Sequence, residues 1–327
     1  MDVLPPAELL RATTIEQALE WRLKFSHSRL LAGGTDLIVN VRRGIGDDPD
    51  ALIDINGIDE MKTIEGDGSS LRIGASVKLA TLAAHPLIRD HYPVLAQAAE
   101  SIAGATHRNM GTLGGNLCLD TRCVFYNQGE WWRVSNDYCL KYGGTKCHVA
   151  PKSKTCFATF SGDLAPALLV LEGKVEIAGR GGRRSVPLTG LYTRDGRDYL
   201  SLAEEEIVCS VSARMTPGLR TGYDKIRVRR SIDFPLAGVA VALGHDGDTL
   251  TDLQVAITGT NPWPVLLEGT DTLCGAGLDE AALEHFDALV GRQVMAMKTT
   301  LTSGYYRRRA AGVLARRLVQ RWFEARQ

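Results

Sequence analysis

Four cysteines crowd into one stretch of this 327-residue chain. The stretch is polar and aromatic, directly follows the glycine-rich turn Thr112–Asn116, and holds Cys123, Cys139, Cys147 and Cys156. These are four of only seven cysteines, and a cysteine that merely fills a core acts as one small hydrophobe among many. A loop of this length without obvious secondary structure is uncommon, and metal ligands would offset the entropy lost in ordering it. The pattern therefore predicts a loop folded around a metal ion or a metal cluster.

The spacing of the four cysteines leaves the identity of the metal open. They follow C-x15-C-x7-C-x8-C, without the C-x-x-C pair that zinc modules usually carry. This weakens the case for zinc without excluding it. A [4Fe-4S] cluster also takes four thiolates, but ferredoxin-type spacing is tight as well, so spacing alone does not choose iron.

Composition indicates an ordinary globular protein whose function resides in local sites. With 44% hydrophobic residues the chain can bury a substantial core, and its length favours two domains. Its 38 basic and 38 acidic residues give no net charge, which argues against wholesale binding of nucleic acid or anionic membranes. The N-terminus lacks a cationic start and an apolar signal core, and no apolar run approaches the ~20 residues of a membrane span. We expect the protein to lie in the cytoplasm. Thiols stay reduced there, so grouped cysteines bind metals more often than they form disulfides.

Two glycine-rich turns are the second feature of the sequence. A predicted strand at Leu30–Ala32 leads into Gly33–Val39, and Ser101–Arg108 leads into Asn109–Asn116. Consecutive amides in such turns can donate to phosphate oxygens, and glycine lets the backbone approach closely. A single Gly-Gly turn more often only connects two elements and contacts no ligand. Neither turn matches the P-loop or the dinucleotide-binding fingerprint. Together, the two turns could hold a pyrophosphate.

Hydrophobic periodicity predicts the other elements. Thr13 and Glu16 have capping-box spacing before the first helix. In the last helix an apolar residue recurs every fourth position from Tyr306 to Trp322, which predicts a packing face and places the helix's arginines in solvent or at a subunit contact. The predicted elements are helices at Thr14–Leu23, Leu79–Ala84, Asp279–Met297 and Tyr305–Glu324 and strands at Leu71–Ala75, Gly238–Leu243 and Asp252–Thr258.

The two turns, taken with Arg108-Asn109 before the second and Ser161–Leu168 after it, resemble the FAD-carrying medium subunits of molybdenum hydroxylases. This family is related to xanthine dehydrogenase and carbon monoxide dehydrogenase. The resemblance continues through Glu205–Val208 and Tyr223–Ile226 to Tyr305–Arg308, so it covers nearly the whole chain. It implies an α+β fold: a two-lobed FAD-binding domain of the vanillyl-alcohol-oxidase (PCMH) type over residues 1–217, then a smaller α+β C-terminal domain like that of the carbon monoxide dehydrogenase flavoprotein over 218–327.

The resemblance also implies which residues bind FAD. The two turns would hold the pyrophosphate and ribityl chain, Asp163 would accept hydrogen bonds from hydroxyls, and Lys225 would lie near the flavin. From the residues alone, Asp163 is an N-cap of the segment Leu164–Leu171, Ile102 and Val208 are core residues, and Lys225 is an exposed strand lysine. Because flavin supplies the redox chemistry, we expect no catalytic side chain. The implied set is Leu31, Ala32, Gly33, Gly34, Thr35, Asp36, Leu37, Ile102, Thr112, Leu113, Gly114, Gly115, Asn116, Asp163, Val208 and Lys225.

The cysteine-rich stretch is an insertion relative to this family, in which a much shorter segment joins the second turn to the Asp-Leu-Ala-Pro sequence. It occupies about residues 118–160. With Cys118–Cys123 and Trp131-Trp132, it resembles a reductase branch of the family that carries an extra [4Fe-4S] cluster. That resemblance selects iron, with Cys123, Cys139, Cys147 and Cys156 as ligands. Cys118 could replace Cys123, but we expect it to pack beside the cofactor.

The resemblance implies a multi-subunit enzyme. Its partners would be a large subunit with the molybdenum cofactor and a small subunit with two [2Fe-2S] clusters, in a dimer of heterotrimers with reduced ferredoxin as donor. The insertion carries six basic and three acidic residues between Leu119 and Phe157, which suits an acidic ferredoxin or, equally, balances an anionic cluster. Two alternatives stay open: an ordinary hydroxylase subunit that passes electrons outward and binds zinc in the loop, and a scaffold that has lost its flavin.

Overall fold

The first lobe is a small parallel sheet with helical crossovers, as seen in a computed structural model that describes residues 4–325. Strands β1 (Glu8–Arg11) and β2 (Ser28–Leu31) both pair in parallel with β3 (Ala51–Asp54), which lies between them. Parallel pairing requires crossovers. The crossovers contain α1 (Ile15–Lys24) and α2 (Leu37–Arg42).

The N-terminus of α1 begins one residue later than the predicted capping box. The Thr14 hydroxyl accepts from the Gln17 N–H at 3.1 Å, and the Gln17 side chain accepts from the Thr13 N–H at 2.9 Å. The prediction with Thr13 and Glu16 was therefore wrong in register. The reason is that Gln17 can serve as the reciprocal acceptor equally well.

The second lobe is a five-stranded antiparallel sheet in the order β4-β5-β8-β6-β7, flanked by short helices. Its central strand β8 is buried over most of its length, because the helices cover one face. The strands are β4 (Ile64–Gly66), β5 (Ser70–Gly74), β6 (Lys174–Gly179), β7 (Gly182–Pro187) and β8 (Ile207–Arg214). The helices are α3 (Leu79–Ala84), α4 (Pro86–His91), α5 (Pro93–Ser101), α6 (Ala105–Arg108), α7 (Leu113–Leu117) and, after the insertion, α9 (Leu164–Leu169).

The C-terminal unit is a four-stranded antiparallel sheet in the order β12-β11-β10-β9. Nearly every residue of strand β10 is buried. Because alternate side chains point to opposite sides of a sheet, both faces of this strand are covered. Val239 and Val241 pack under the two last helices, whereas Ala240 and Ala242 belong to the core of the preceding domain. One sheet thus joins both cores. The elements are β9 (Arg220–Ile226), β10 (Ala237–Asp246), β11 (Thr249–Thr258), β12 (Val265–Leu266), α10 (Glu280–Gln293) and α11 (Gly304–Glu324). The predicted domain join at Pro217–Gly218 falls in the turn between β8 and β9, and stays a prediction.

Helix α11 corrects one part of the sequence interpretation. Its buried face contains Ala310, Leu314 and Leu318 as predicted, but Tyr306 is half exposed and Arg307 is completely buried. The prediction that the arginines of this helix lie in solvent or at a subunit contact is therefore wrong for Arg307. The period-four spacing placed Tyr306 on the buried face where Arg307 lies, because the true stripe follows the 3.6-residue period of the helix.

The insertion is compact and contains one short helix, α8 (Glu130–Ser135), which the sequence analysis did not predict. The Arg133 side chain is buried, lies 4.5 Å from the centre of the Tyr142 ring and donates to the Gly44 carbonyl just beyond α2. This contact fixes the insertion against the first lobe. Over residues 4–325, no helix is both long and apolar enough to cross a membrane.

Candidate functional site

The two glycine-rich turns meet backbone to backbone. A Cβ atom added at Gly33 would lie 2.2 Å from the Met110 carbonyl oxygen, so only glycine permits the observed approach. Gly34 has φ +68°, a conformation that side chains disfavour. The sequence therefore requires both glycines in the first turn, one for space and one for backbone geometry.

A polar bridge that sequence reasoning missed holds the two turns together. The Lys78 ammonium donates to Asn56 Oδ1 at 2.9 Å and to the Met110 carbonyl at 3.1 Å. Asn56 Nδ2 donates in turn to the Ala32 carbonyl at 2.8 Å. Burial lowers the pKa of Lys78. Neither residue belongs to a recognisable motif. Lys78 directly precedes the predicted helix Leu79–Ala84, but no predicted element ends at Asn56.

The first turn has the donors that a phosphate site needs. Among the described residues, the N–H groups of positions 33–36 find no hydrogen-bond acceptor. The second turn begins α7, where the Thr112 hydroxyl accepts from the Gly115 N–H at 3.1 Å, and Gly114 packs against Ala75. Adjacent free amides beside a close backbone contact form a cradle suited to pyrophosphate oxygens. The residues present thus fit a dinucleotide cofactor.

Asp163 and Lys225 form a buried ion pair behind the second turn. Asp163 Oδ1 accepts from Lys225 Nζ at 3.0 Å and from the Tyr223 hydroxyl at 2.5 Å. The two charged side chains are only 4% and 3% exposed. Burial raises the pKa of Asp163 and lowers that of Lys225, and the attraction between them opposes both shifts. Asn116 Oδ1 accepts from the Leu164 N–H at 2.9 Å, which joins the pair to the second turn.

The interpretations drawn from the residues alone are thereby corrected. Asp163 does occupy the N-cap position of α9, but its side chain makes no capping hydrogen bond. Lys225 is buried and not an exposed strand residue. The other predicted residues are spread more widely. Val208 lies on β8 within the main core, whereas Ile102 follows α5, and its carbonyl accepts from Arg108 Nη1 at 2.8 Å.

The Asp163→Asn variant should lower the free energy of unfolding by about 3 to 5 kcal/mol, because it leaves the Lys225 charge buried without its partner. Adding Lys225→Met should recover most of the loss. Urea denaturation of the chain, followed by circular dichroism, measures both. Asp59→Asn is the matched control, since that carboxylate is 96% exposed in its ion pair with Lys62 and should change stability by less than about 0.5 kcal/mol. Equal losses in the two Asn variants would contradict the assignment.

The four cysteines of the insertion surround one cavity. Their exposed fractions are 8, 7, 5 and 4%, in the order Cys123, Cys139, Cys147 and Cys156. The cavity is small and largely enclosed, and the same four thiols line it together with Phe125, Tyr126, Leu140, Lys141, His148 and Ala158. Burial raises the pKa of the Cys123 thiol to about 11 and that of Cys156 to about 12. The spare residue, Cys118, does not line this cavity; it packs against the main core, and its carbonyl accepts from the Tyr199 hydroxyl at 2.9 Å.

Backbone contacts fix the Cys139 segment at the wall of the cysteine cavity. The Cys139 carbonyl accepts from the N–H groups of Tyr142 at 2.8 Å and Gly144 at 3.0 Å, and a Cβ at Gly144 would meet the Cys139 nitrogen at 2.7 Å. The two preceding residues, 137 and 138, have φ 53° and 55°. Such strained conformations persist only where the surroundings enforce them. Within residues 4–325, no three His, Cys, Asp or Glu side chains are placed as a single metal ion requires.

The cysteine cavity and the first glycine turn are joined by one ion pair. Arg122 precedes Cys123, and its guanidinium donates to the carboxylate of Asp36 at the start of α2. Asp36 also accepts from Asn40 Nδ2 at 3.0 Å, and burial raises its pKa. The first glycine turn and the segment of Cys123 are therefore neighbours in the fold, although Asp36 and Arg122 are 86 positions apart in sequence.

Two family models match the chain. The FAD binding domain in molybdopterin dehydrogenase matches residues 5–213, which is more than half of the chain, and the CO dehydrogenase flavoprotein C-terminal domain matches residues 223–322. The FAD-binding subunit of an aldehyde oxidoreductase from Escherichia coli K12 is 32% identical over 297 residues, 88% of this chain and 91% of that protein. The carbon monoxide dehydrogenase medium chain of Hydrogenophaga pseudoflava is 29% identical over 247 residues, 75% of this chain and 71% of that protein.

Solved structures show the same fold. Carbon monoxide dehydrogenase from Hydrogenophaga pseudoflava superimposes with a TM-score of 0.80 at 22% identity, covering 98% of both chains. Quinoline 2-oxidoreductase from Pseudomonas putida 86 gives 0.78 at 17% identity, again over 98% of both chains. The predicted fold, a PCMH-type FAD-binding domain with a carbon monoxide dehydrogenase flavoprotein C-terminal domain, is confirmed. The chain thus belongs to the FAD-binding medium subunits of the molybdenum hydroxylases, of the carbon monoxide dehydrogenase and xanthine dehydrogenase type.

Proposed function

We propose that this chain is the FAD and iron-sulfur electron-transfer subunit of a ferredoxin-dependent 4-hydroxybenzoyl-CoA reductase. The observation that carries the proposal is the enclosed cavity of four thiols beside the flavin cradle. An ordinary member of the family needs only the flavin site. A second redox centre next to that site provides an additional entry for electrons.

The flavin would be held by the two turns and their supports. The free amides at positions 33–36 and the second turn at Thr112–Asn116 would bind the pyrophosphate and ribityl chain. The side chain of Asp36 is engaged by Arg122, so its contact with the cofactor would come from its backbone. Lys225 would place a cation near the flavin, which favours a reduced, anionic ring. When bound, FAD supplies the conversion between two-electron and one-electron transfer.

A [4Fe-4S] cluster is the group that we assign to the thiol cavity. Such a cluster takes four thiolates, and the four thiols line one enclosed cavity. The resemblance to the reductase branch of the family selects iron over zinc. The buried side chain of Lys141, which lines this cavity, suits an anionic group. The proposed ligands are Cys123, Cys139, Cys147 and Cys156.

The surface of the insertion suits an acidic electron donor. The Arg122, Arg133 and Lys141 side chains are engaged in ion pairs within the fold. The three remaining lysines of the insertion, at positions 146, 152 and 154, are exposed, and Trp131, also on the insertion, is 80% exposed. Opposite charge would steer a reduced ferredoxin to this face. Electrons would then pass inward, from the cluster through FAD towards the partner subunits.

The complete enzyme would contain a large subunit with the molybdenum cofactor and a small subunit with two [2Fe-2S] clusters. A dimer of such heterotrimers, a heterohexamer, would work in the cytoplasm during anaerobic catabolism of aromatic compounds. At the molybdenum subunit, two electrons and two protons would remove the phenolic hydroxyl of 4-hydroxybenzoyl-CoA as water and leave benzoyl-CoA. This chain supplies electrons and no catalytic side chain.

The test is electron delivery to the purified complex under anaerobic conditions. Reduced ferredoxin should support conversion of 4-hydroxybenzoyl-CoA into benzoyl-CoA, measured by chromatography. Benzoyl-CoA should form in proportion to ferredoxin oxidised, one molecule for each pair of electrons. A complex that instead oxidises a substrate and reduces NAD or a quinone, with zinc in the insertion, would overturn the proposal and identify an ordinary hydroxylase.

A further inference from the structure

A buried arginine of the C-terminal domain reaches the insertion. Arg307 lies in the first turn of α11 and is 0% exposed, whereas the sequence predicted that it lies in solvent or at a subunit contact. Its guanidinium is surrounded by neutral acceptors only. It donates to the Thr299 hydroxyl at 2.7 Å and to the carbonyl groups of Met297 at 2.9 Å, Leu236 at 3.3 Å and Gly259.

The positive charge of Arg307 has no carboxylate partner among the residues that the structure describes. Its hydrogen bonds are satisfied, but among residues 4–325 no carboxylate forms an ion pair with it. Burying a charge is costly unless an opposite charge accompanies it. The other buried cation at this site differs, because Lys141 is paired with Asp120 at 2.9 Å. Arg307 is therefore a buried cation whose contacts within residues 4–325 are all neutral.

The segment of Cys123 lies next to this guanidinium. The Thr299 hydroxyl, which Arg307 contacts, also bonds the Thr159 hydroxyl at 2.7 Å, and the Thr299 carbonyl accepts from the Val124 N–H at 2.9 Å. Thr159 in turn exchanges backbone bonds of 2.7 and 2.8 Å with the residue that precedes Cys123. The threonines thus hold the chain on both sides of this cysteine. Burial lowers the pKa of Arg307 to about 10, and a negative charge on Cys123 opposes that shift.

We propose that Arg307 is the counter-charge of the anionic cluster held by the four cysteines and that it raises the reduction potential of that cluster. The inference rests on the proposed function, since it needs the cluster. The last helix of the C-terminal domain would then act on a cofactor bound in the insertion. Adding an electron increases the negative charge of the cluster, and a cation in a poorly solvated position favours that addition. Arg307 is a positioning and electrostatic residue in this account, not a catalytic one.

The test uses the purified complex and EPR-monitored redox titration of the cluster. Arg307→Met removes the charge, Arg307→Lys keeps it, and Arg308→Met, an exposed position on the same helix, is the matched control. The Met variant at 307 should lower the equilibrium constant for cluster reduction roughly tenfold, a fall in midpoint potential of about 59 mV. The Lys variant and the control should stay near the wild type. FAD content, measured in parallel, should not change.

Each outcome decides the proposal. An unchanged potential in Arg307→Met, with full iron content, would overturn it. If that variant loses its iron, Arg307→Lys decides. Retention of both the iron and the midpoint potential in Arg307→Lys supports a role of the charge. Loss of iron in both variants shows that the hydrogen bonds of the guanidinium are needed, and it overturns the inference. A wild-type complex without any cluster signal would instead refute the proposed function, so the two failures are distinguishable.

Discussion

The Cys139→Ser variant should lose the iron of the insertion while FAD stays bound. A hydroxyl is a poor substitute for a thiolate ligand, and the hydrogen bonds that Tyr142 and Gly144 donate to the Cys139 carbonyl hold this residue at the cavity wall. No other described cysteine lines the cavity, so residues 4–325 offer no further thiolate there. Iron content in the insertion should fall to background, and transfer from ferredoxin should fall with it. Flavin should persist because its cradle is built from different elements.

The matched control for this prediction is Cys118→Ser. That thiol lies outside the cavity and packs against the main core, so its replacement should leave iron and its EPR signal in place. Iron and flavin are quantified in both variants after anaerobic purification of the complex. Full iron content in Cys139→Ser, or equal loss in the two variants, would show that the ligand set is different.

The Gly33→Ala variant should produce the opposite result, loss of FAD with retention of iron. Its new Cβ would lie 2.2 Å from the Met110 carbonyl oxygen, so the two turns must separate. Overpacking of this kind costs about 1 to 3 kcal/mol, and roughly tenfold weaker binding corresponds to about 1.4 kcal/mol. We therefore expect the FAD affinity to fall at least about tenfold.

Gly181→Ala is the matched control for the glycine prediction, because nothing lies within 4 Å of a Cβ at that position. Flavin absorption of the purified complexes, and its dependence on added FAD, measures the effect. Iron in the insertion confirms that the Gly33→Ala chain has folded. Unchanged flavin affinity in that variant would remove the turn contact from the cofactor site.

The parts of the structure that follow local rules could be predicted from the sequence. The glycine turns follow from the conformational freedom of glycine, which is a property of the residue itself. The helix at Leu79–Ala84 follows from its apolar pattern. The cysteine cavity was also predictable, because thiol density is visible in the sequence. The one-residue error at Thr13 arose because two overlapping capping boxes compete and only packing decides between them.

The parts that depend on tertiary partners could not be predicted. Lys78 and Asn56 are single polar residues 22 positions apart, and nothing local links them to Met110. Arg307 was assigned to solvent or to a subunit contact because an arginine in a basic helix is usually exposed. The sequence carries no signal of the neutral acceptors around it. Its burial depends on strands and loops that fold together only in the complete domain. Long-range pairing thus accounts for most of what sequence reasoning missed.

The measurement that tests the central claim most directly is anaerobic purification of this chain with its partners, followed by iron, zinc and flavin quantitation and low-temperature EPR of the dithionite-reduced sample. We predict FAD together with a cubane-type [4Fe-4S] signal that adds to the [2Fe-2S] signals of the small subunit and disappears in Cys139→Ser. Zinc in the insertion with only [2Fe-2S] signals would contradict the account and return the chain to the outward-delivering hydroxylase flavoproteins.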